Sequence, residues 1–110
     1  MKKAFVYKLT FNRPHVTSWI RYFTMPPTTG VVMEALAVEH LADVQTLRPS
    51  QTEQASHLRH WCDRMIEEIE ACGVPDVGPS VGVTSRKATK WWHNEKQTVE
   101  ITVEKLEAFV

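Results

Sequence analysis

The first residues of the chain alternate between two faces and so predict a β-strand. One face is large and mostly aromatic: Phe5, Tyr7, Leu9 and Phe11. A period of two places successive side chains on opposite sides of a sheet. A second extended run, from Val16 to Met25, follows a turn at residues 12–15 and ends at Pro26–Pro27, which cannot donate hydrogen bonds to a ladder. The two runs together predict an N-terminal β-hairpin.

Helical spacing replaces alternation in the middle of the chain. Residues 31–47 place valine, leucine and alanine at helical intervals among polar residues and predict a helix, although the start at Val31–Met33 is also typical of a short strand. Arg48–Pro49 breaks the chain before the next helix. Two helices with so short a link are expected to pack antiparallel.

Residues 50–73 are the best-marked helix in the sequence. Ser50 and Glu53 have the spacing of a capping box, in which each side chain satisfies a backbone N–H of the other residue. Gly73 followed by Pro75 is a stop signal. The apolar positions between them recur at steps of three and four: Ala55, Leu58, Cys62, Met65, Ile69 and Cys72, widened by Trp61 and Ile66. This stripe is wide enough to lie on a sheet.

The last third of the chain predicts a second hairpin. Val99, Ile101 and Val103 alternate with polar residues, and the partner strand is residues 81–92. A three-residue loop at 94–96 places Arg86 opposite Glu104 and Lys90 opposite Glu100. Opposite charges that face each other across a ladder contribute roughly 0.2–1 kcal/mol each. A two-residue loop would pair Arg86 with Val103 and Lys90 with Val99. It would place both charges on the core face, so the sequence favours the three-residue loop.

The element order is therefore ββααββ, and the fold class is α+β. The economical assembly is a two-layer sandwich in which an antiparallel sheet of about four strands carries both helices on one face. A chain of 110 residues is expected to form one domain. With 43% hydrophobic and 24% charged residues it has enough apolar side chains for a modest core.

Composition narrows the choice of partners. Thirteen basic and thirteen acidic residues cancel, so the protein has no overall field that would attract nucleic acid or an anionic membrane. No apolar run approaches the length of a membrane span, and the first one stops at Lys8, too early for a signal peptide. Cys62 and Cys72 lie roughly 15 Å apart along one helix, too far for a disulfide, and we expect two buried thiols in a reducing cytoplasm.

Few residues have a spacing that points to catalysis. His57, His60, Asp63 and Glu67 resemble a metal or acid–base cluster, but at about 100° per residue they are expected on the water side of the helix, opposite the apolar stripe. A small enzyme or metal site on the helix 50–73 is thus the weaker hypothesis. No glycine-rich phosphate loop, nucleophile elbow or cofactor motif is present, so the sequence predicts neither a cofactor nor a bound metal.

The strand at residues 85–93 mixes cations with aromatic residues. In the register above, Trp91 faces the core while Trp92 stands on the solvent face beside Lys90 and Arg86. The predicted partner-binding residues are Trp92, Arg86, Lys90, His93 and Lys87. Tryptophan and arginine are over-represented at protein-binding hot spots, and an exposed tryptophan among cations also suits single-stranded nucleic acid. Trp92 could equally cover the sheet edge or pack under the loop at residues 74–79.

Protein binding is the favoured hypothesis because Glu100 and Glu104 offset the cations. We therefore expect a non-enzymatic protein-binding module, such as a small inhibitor or adaptor of the kind that phages and mobile elements encode. Single-stranded nucleic-acid binding through residues 85–93 is the alternative. The N-terminal hairpin adds a hint of a homodimer or docking surface, because Ile20 and Tyr22 are apolar on the face opposite Trp19 and Phe23.

Overall fold

The computed structural model describes residues 3–13, 18–78, 81–92 and 95–109; for residues 3, 88, 90–92, 95, 97 and 109 only the backbone is described. The elements follow the predicted order ββααββ: β1 Lys3–Asn12, β2 Trp19–Phe23, α1 Thr29–Gln45, α2 Thr52–Cys72, β3 Gly82–Trp92 and β4 Glu95–Phe109. The four strands form one antiparallel sheet in the order β2-β1-β4-β3. The predicted α+β fold is thereby confirmed.

The hydrophobic core lies between one face of the sheet and the two helices. The sheet contributes Leu9, Phe11, Val99, Ile101 and Val103, and the helices contribute Val32, Leu36, Leu58, Met65 and Ile69, among others. Phe11 is paired with Trp19 on β2, and their rings stack at 4.7 Å between centroids. Burying side chains of this size supplies about 1.5–3 kcal/mol each, which holds the two layers together. Among the described residues, no helix combines the length and the hydropathy needed to cross a bilayer.

Helix α1 is helical from its first turn, so the strand alternative for Val31–Met33 is excluded. The Thr28 side chain caps it by accepting a hydrogen bond from the Val31 N–H at 3.3 Å. Arg13, at the end of β1, donates to Asp43 of α1 at 2.5 Å. This ion pair fastens the helix to the strand that leads into the first hairpin.

The predicted capping box of α2 is wrong. The helix begins at Thr52, one residue after Gln51, and no side chain caps it. The Gln51 side chain instead accepts a hydrogen bond from the Arg48 N–H at 2.8 Å, which closes the turn before the helix and leaves Ser50 inside that turn. The C-terminal prediction is confirmed, since Gly73 ends the helix at a φ of 74°, a left-handed conformation that glycine adopts readily.

The predicted register of the second hairpin is also wrong, and by an odd number of residues. Arg86 lies opposite Ile101 rather than Glu104, and Lys87 lies opposite Glu100. The hydroxyls of Thr89 and Thr98, which face each other in this register, are 2.8 Å apart. An odd shift exchanges the two faces of a strand, so the described side chains of β3 face the side opposite to the one expected.

Candidate interaction surface

The sheet has one face covered by the helices and one face without a helix among the described residues. We call the second the open face; it comprises the even-numbered residues of β1, β2 and β4 and the odd-numbered residues of β3. The register decides which charged side chains of β3 reach it. The residues proposed from the sequence as a contact surface are therefore divided between the two faces.

Arg86 lies on the covered face, contrary to expectation. Its guanidinium donates a hydrogen bond to the carbonyl oxygen of Gly73 at the end of α2, and its Nε is 3.7 Å from the Glu68 carboxylate. The side chain is 27% exposed. Carbonyls at the end of a helix carry partial negative charge and lack helical partners, so an arginine there stabilises the helix end. Arg86 therefore links β3 to α2, and its guanidinium is already engaged within the protein.

Lys87, the next residue, lies on the open face. Its Nζ is 3.7 Å from Glu100 Oε2, and its side chain is 69% exposed. The other oxygen of Glu100 accepts a hydrogen bond from Asn12 at 3.1 Å. Among the predicted partner-binding residues with described side chains, Lys87 is thus exposed to solvent, and the Glu100 carboxylate partly balances its charge.

Three members of the predicted set lie outside what the structure describes in full. Trp92 and Lys90 are described by their backbone alone, opposite Glu95 and Gln97 of β4. His93 is outside the described residues, and the side chain of Trp91 is outside them as well. The contact role of Trp92, Lys90 and His93 therefore stays a prediction.

Large apolar side chains are exposed on the open face. Ile20, Tyr22 and Val83 are 46%, 59% and 62% exposed. Ile20 and Tyr22 lie on the edge strand β2, and Val83 lies on the opposite edge strand β3. These side chains lie at opposite edges of the open face and do not form one contiguous apolar patch, so each edge is a separate candidate anchor for a contact.

Charges of opposite sign occupy the middle of that face. Lys8 of β1 lies directly opposite Glu104 of β4; Glu104 is half-buried and Lys8 is paired with it across the ladder. The same row across the sheet continues to Tyr22 beside Lys8 and to Val83 beside Glu104. The next row has Val6 opposite Leu106. The open face therefore has a balanced charged centre with apolar side chains around it.

The candidate acid–base cluster on α2 does not form a site. His57 is half-buried rather than fully exposed, because its ring packs edge-on against Trp61 at 5.5 Å between centroids. His60 is also half-buried, so the expectation that both histidines face water is wrong. Asp63 is 3.7 Å from Arg59, and Glu67 pairs with Arg64. In the part of the chain that the structure describes, no three histidine, cysteine or acidic side chains are grouped so as to hold a metal.

The cysteines differ from each other. Cys62 is buried as expected, and burial, with a smaller contribution from Asp63, raises the pKa of its thiol to about 11. A thiol with such a pKa is not ionised at neutral pH and is a poor nucleophile. Cys72 is expected in the core but is exposed in the last turn of α2. Both are free thiols.

His40 of α1 shares a pocket with Cys62 of α2. His40 lines a small pocket together with Arg13, Leu36 and Cys62. Burial, reinforced by Arg59, lowers the pKa of His40. A neutral imidazole and an un-ionised thiol do not make an activated nucleophile. We interpret this group as part of the packing between α1, α2 and β1.

A groove of about 400 Å³ lies where the start of α1 meets the loop after α2. Its described polar lining comes from Tyr7, Thr28, Thr29 and Asp76, and its apolar lining includes Val77. This lining lacks a nucleophile with an adjacent base, so it does not form a catalytic set.

Comparison of the chain with known protein families, with characterised proteins and with solved structures finds no significant match. Function must therefore be inferred from the residues themselves. The sequence pattern indicates Ile20, Tyr22 and Glu104 as solvent-facing, but it does not single out Val83 and Lys8 as members of the same surface. The signal for them was present in the alternation of β1 and β4, but the wrong register placed Val83 on the other side.

Proposed function

We propose that this protein is a non-enzymatic protein-binding module, an inhibitor or adaptor that contacts its partner through the open face of its sheet. The observation that carries the proposal is the exposure of Ile20, Tyr22 and Val83 on a sheet face that no described helix covers. Apolar side chains of this size supply most of the favourable free energy when two proteins associate. Two free thiols are consistent with action in a reducing cytoplasm.

The charge pattern of the open face favours a protein over a nucleic acid. Lys87 faces Glu100, and Lys8 faces Glu104, so each of these cations has an acidic neighbour. Binding to phosphates needs uncompensated cations, because its free energy comes largely from counterion release. A protein surface, which carries both signs of charge, matches this pattern better. Arg86, which the sequence predicts as a contact residue, is instead bound to the Glu68 carboxylate of α2 and to the Gly73 carbonyl at its end.

Affinity capture with paired variants tests the proposal. The test variant is Tyr22→Ser with Val83→Ser on the open face, and the matched control is Val38→Ser with Leu41→Ser on the outer side of α1. Val38 and Leu41 are 54% and 58% exposed, so both double variants remove comparable exposed apolar surface and are expected to fold. We expect a partner captured by the wild type to be lost with the test variant and retained with the control.

Retention of the partner by the test variant would exclude the open face as its binding site. A parallel mobility-shift assay with single- and double-stranded probes at low salt separates the alternatives. A shift that weakens steeply as salt is added would favour nucleic-acid binding and contradict the proposal.

A further inference from the structure

The open face is complementary to itself. Its central row reads Tyr22, Lys8, Glu104, Val83 from one edge of the sheet to the other: apolar, positive, negative, apolar. The neighbouring row has two aliphatic side chains, Val6 and Leu106, at its centre. When a second copy of this row is reversed and laid over the first, each positive side chain meets a negative one and each apolar side chain meets an apolar one.

We infer that the partner of the open face is a second copy of this chain, related by a two-fold axis that runs along the strands between β1 and β4. Rotation about this axis lays β1 of one copy over β4 of the other. Lys8 then faces Glu104 of the second copy and Glu104 faces its Lys8, while Tyr22 meets Val83 at each edge. Interfaces with a two-fold axis require this self-complementarity. The inference rests on the proposed function in one respect, the use of the open face for protein binding. It assigns that face to a second copy, so the dimer competes with any other target protein for the same residues.

The charges also select among possible two-fold arrangements. An axis in the plane of the interface but perpendicular to the strands would place Lys8 over Lys8 and Glu104 over Glu104, which is repulsive. An axis along the strands places each lysine over a glutamate, so the four charges of the two copies alternate in sign. Glu104 is already half-buried in one copy, so part of its hydration is lost before association. Its further desolvation is therefore less costly than that of a fully exposed charge.

The size of the face is sufficient for a dimer. Three strands paired over about ten residues and β2 paired over five, with strands about 4.8 Å apart and residues about 3.3 Å apart, present about 550 Å² in projection. The accessible area of a surface with side chains exceeds its projection, and specific interfaces bury about 800 Å² per partner. Two sheets that pack face to face at the usual aligned angle of about 30° keep the central rows in contact near the axis.

Charge reversal tests the arrangement. The variants Lys8→Glu and Glu104→Lys are prepared separately, and the molar mass of each, and of their equimolar mixture, is measured by sedimentation equilibrium over a range of concentrations. We expect the wild type to dimerise and each variant to dimerise about thirtyfold more weakly, because two attractive pairs become repulsive. In the mixture, the two glutamates of the Lys8→Glu copy face the two lysines of the Glu104→Lys copy, so the dimer is restored.

The mixture is the decisive measurement. Each variant also places like charges opposite each other within its own sheet, which lowers its stability, but mixing cannot repair that defect. Restored association in the mixture therefore reports contacts between copies. Thermal unfolding of each variant confirms that it is folded before it is mixed.

Three outcomes overturn the inference. A wild type that sediments as a monomer at all concentrations excludes the second copy, and a mixture that fails to associate excludes this arrangement. A dimer that survives Lys8→Glu but is lost in the Val38→Ser, Leu41→Ser control places the interface on α1. A monomeric wild type that captures another protein through the open face retains the proposed function and overturns this inference. A dimer that captures no other protein retains this inference and overturns the inhibitor or adaptor role, so the two can fail separately.

Discussion

Arg86 and Lys87 are adjacent cations that the register assigns to opposite faces, and their substitution tests that assignment. Arg86 donates a hydrogen bond to the Gly73 carbonyl and pairs with Glu68, both on α2 or at its end. Lys87 is 69% exposed and has Glu100 as its partner at 3.7 Å. Replacing each with methionine removes the charge and keeps a flexible side chain of similar length. The two variants therefore differ chiefly in the contacts that they lose.

The expected magnitudes follow from those contacts. A hydrogen bond from a charged donor contributes about 1.5–3 kcal/mol, and a partly exposed ion pair about 0–1 kcal/mol. We expect Arg86→Met to lower the free energy of unfolding by about 2 kcal/mol, which corresponds to a fall in Tm of about 8 °C for a chain of this length. Lys87→Met is expected to change it by about 0.5 kcal/mol or less, because its ion pair is exposed to solvent.

Urea unfolding followed by circular dichroism measures both values. Arg86→Lys is an informative third variant: it retains the positive charge near the end of α2 but lacks the planar fork that reaches a carbonyl and a carboxylate together, so it is expected to be intermediate. Equal destabilisation by Arg86→Met and Lys87→Met, or a loss below about 0.5 kcal/mol for Arg86→Met, would refute the register and the tie to α2.

Three further predictions concern single side chains. Cys72 is expected to react rapidly with a thiol reagent at pH 8 in the native protein, whereas Cys62 is expected to react only on unfolding. Cys62 is buried, and its pKa of about 11 leaves about one thiol in a thousand ionised at that pH. Labelling of Cys62 at the rate of Cys72 would contradict this. The pKa of His40 is lowered in the fold, so the unfolded chain binds more protons near the ordinary histidine pKa of 6.5, and the free energy of unfolding falls as pH decreases through that value. His40→Gln is expected to flatten this loss in urea unfolding between pH 7 and 5. An unchanged dependence on pH would exclude His40 as its source. Gly73→Ala is expected to lower the Tm by a few degrees, because alanine at a φ of 74° costs about 1 kcal/mol, whereas Gly30→Ala inside α1 should raise it slightly.

The element order and the core could be predicted from periodicity alone. Val99, Ile101 and Val103 alternate with polar residues and are all buried, and the α2 stripe from Leu58 to Ile69 packs on them as expected. These predictions succeed because burying an apolar side chain contributes about 1.5–3 kcal/mol, more than any competing local preference. The face of an element that is rich in large apolar residues therefore turns inward.

The register of β3 could not be predicted, because β3 lacks such a pattern. Its exposed Val83 is apolar and its half-buried Arg86 is charged, the reverse of the usual rule. The prediction relied on cross-strand charge pairs worth roughly 0.2–1 kcal/mol each. A tie from Arg86 to the end of α2 outweighs such pairs, but it joins two separate elements and is visible only once the helix lies on the sheet.

The histidines of α2 show the same limit. His57 was placed in water by its angle on the helix, but Trp61 lies four residues later and offers an aromatic surface that draws the imidazole inward. Cys72 lies three residues after the buried Ile69, at the end of the apolar stripe, and is nevertheless exposed. Angular position along a helix predicts the centre of the buried stripe well and its borders poorly.

The register of β3 is also what defines the proposed interaction surface. If Arg86 faced solvent, as the charge pairing predicts, Val83 would face the helices and Arg86 would take its place opposite Glu104 on the open face. With Lys87 outward instead, the open face has Val83 at one edge, Tyr22 at the other and paired opposite charges between them. The unfolding measurements on Arg86 and Lys87 thus bear on function as well as on stability, because one odd shift of a single strand decides whether Arg86 or Val83 lies beside Glu104 on the open face.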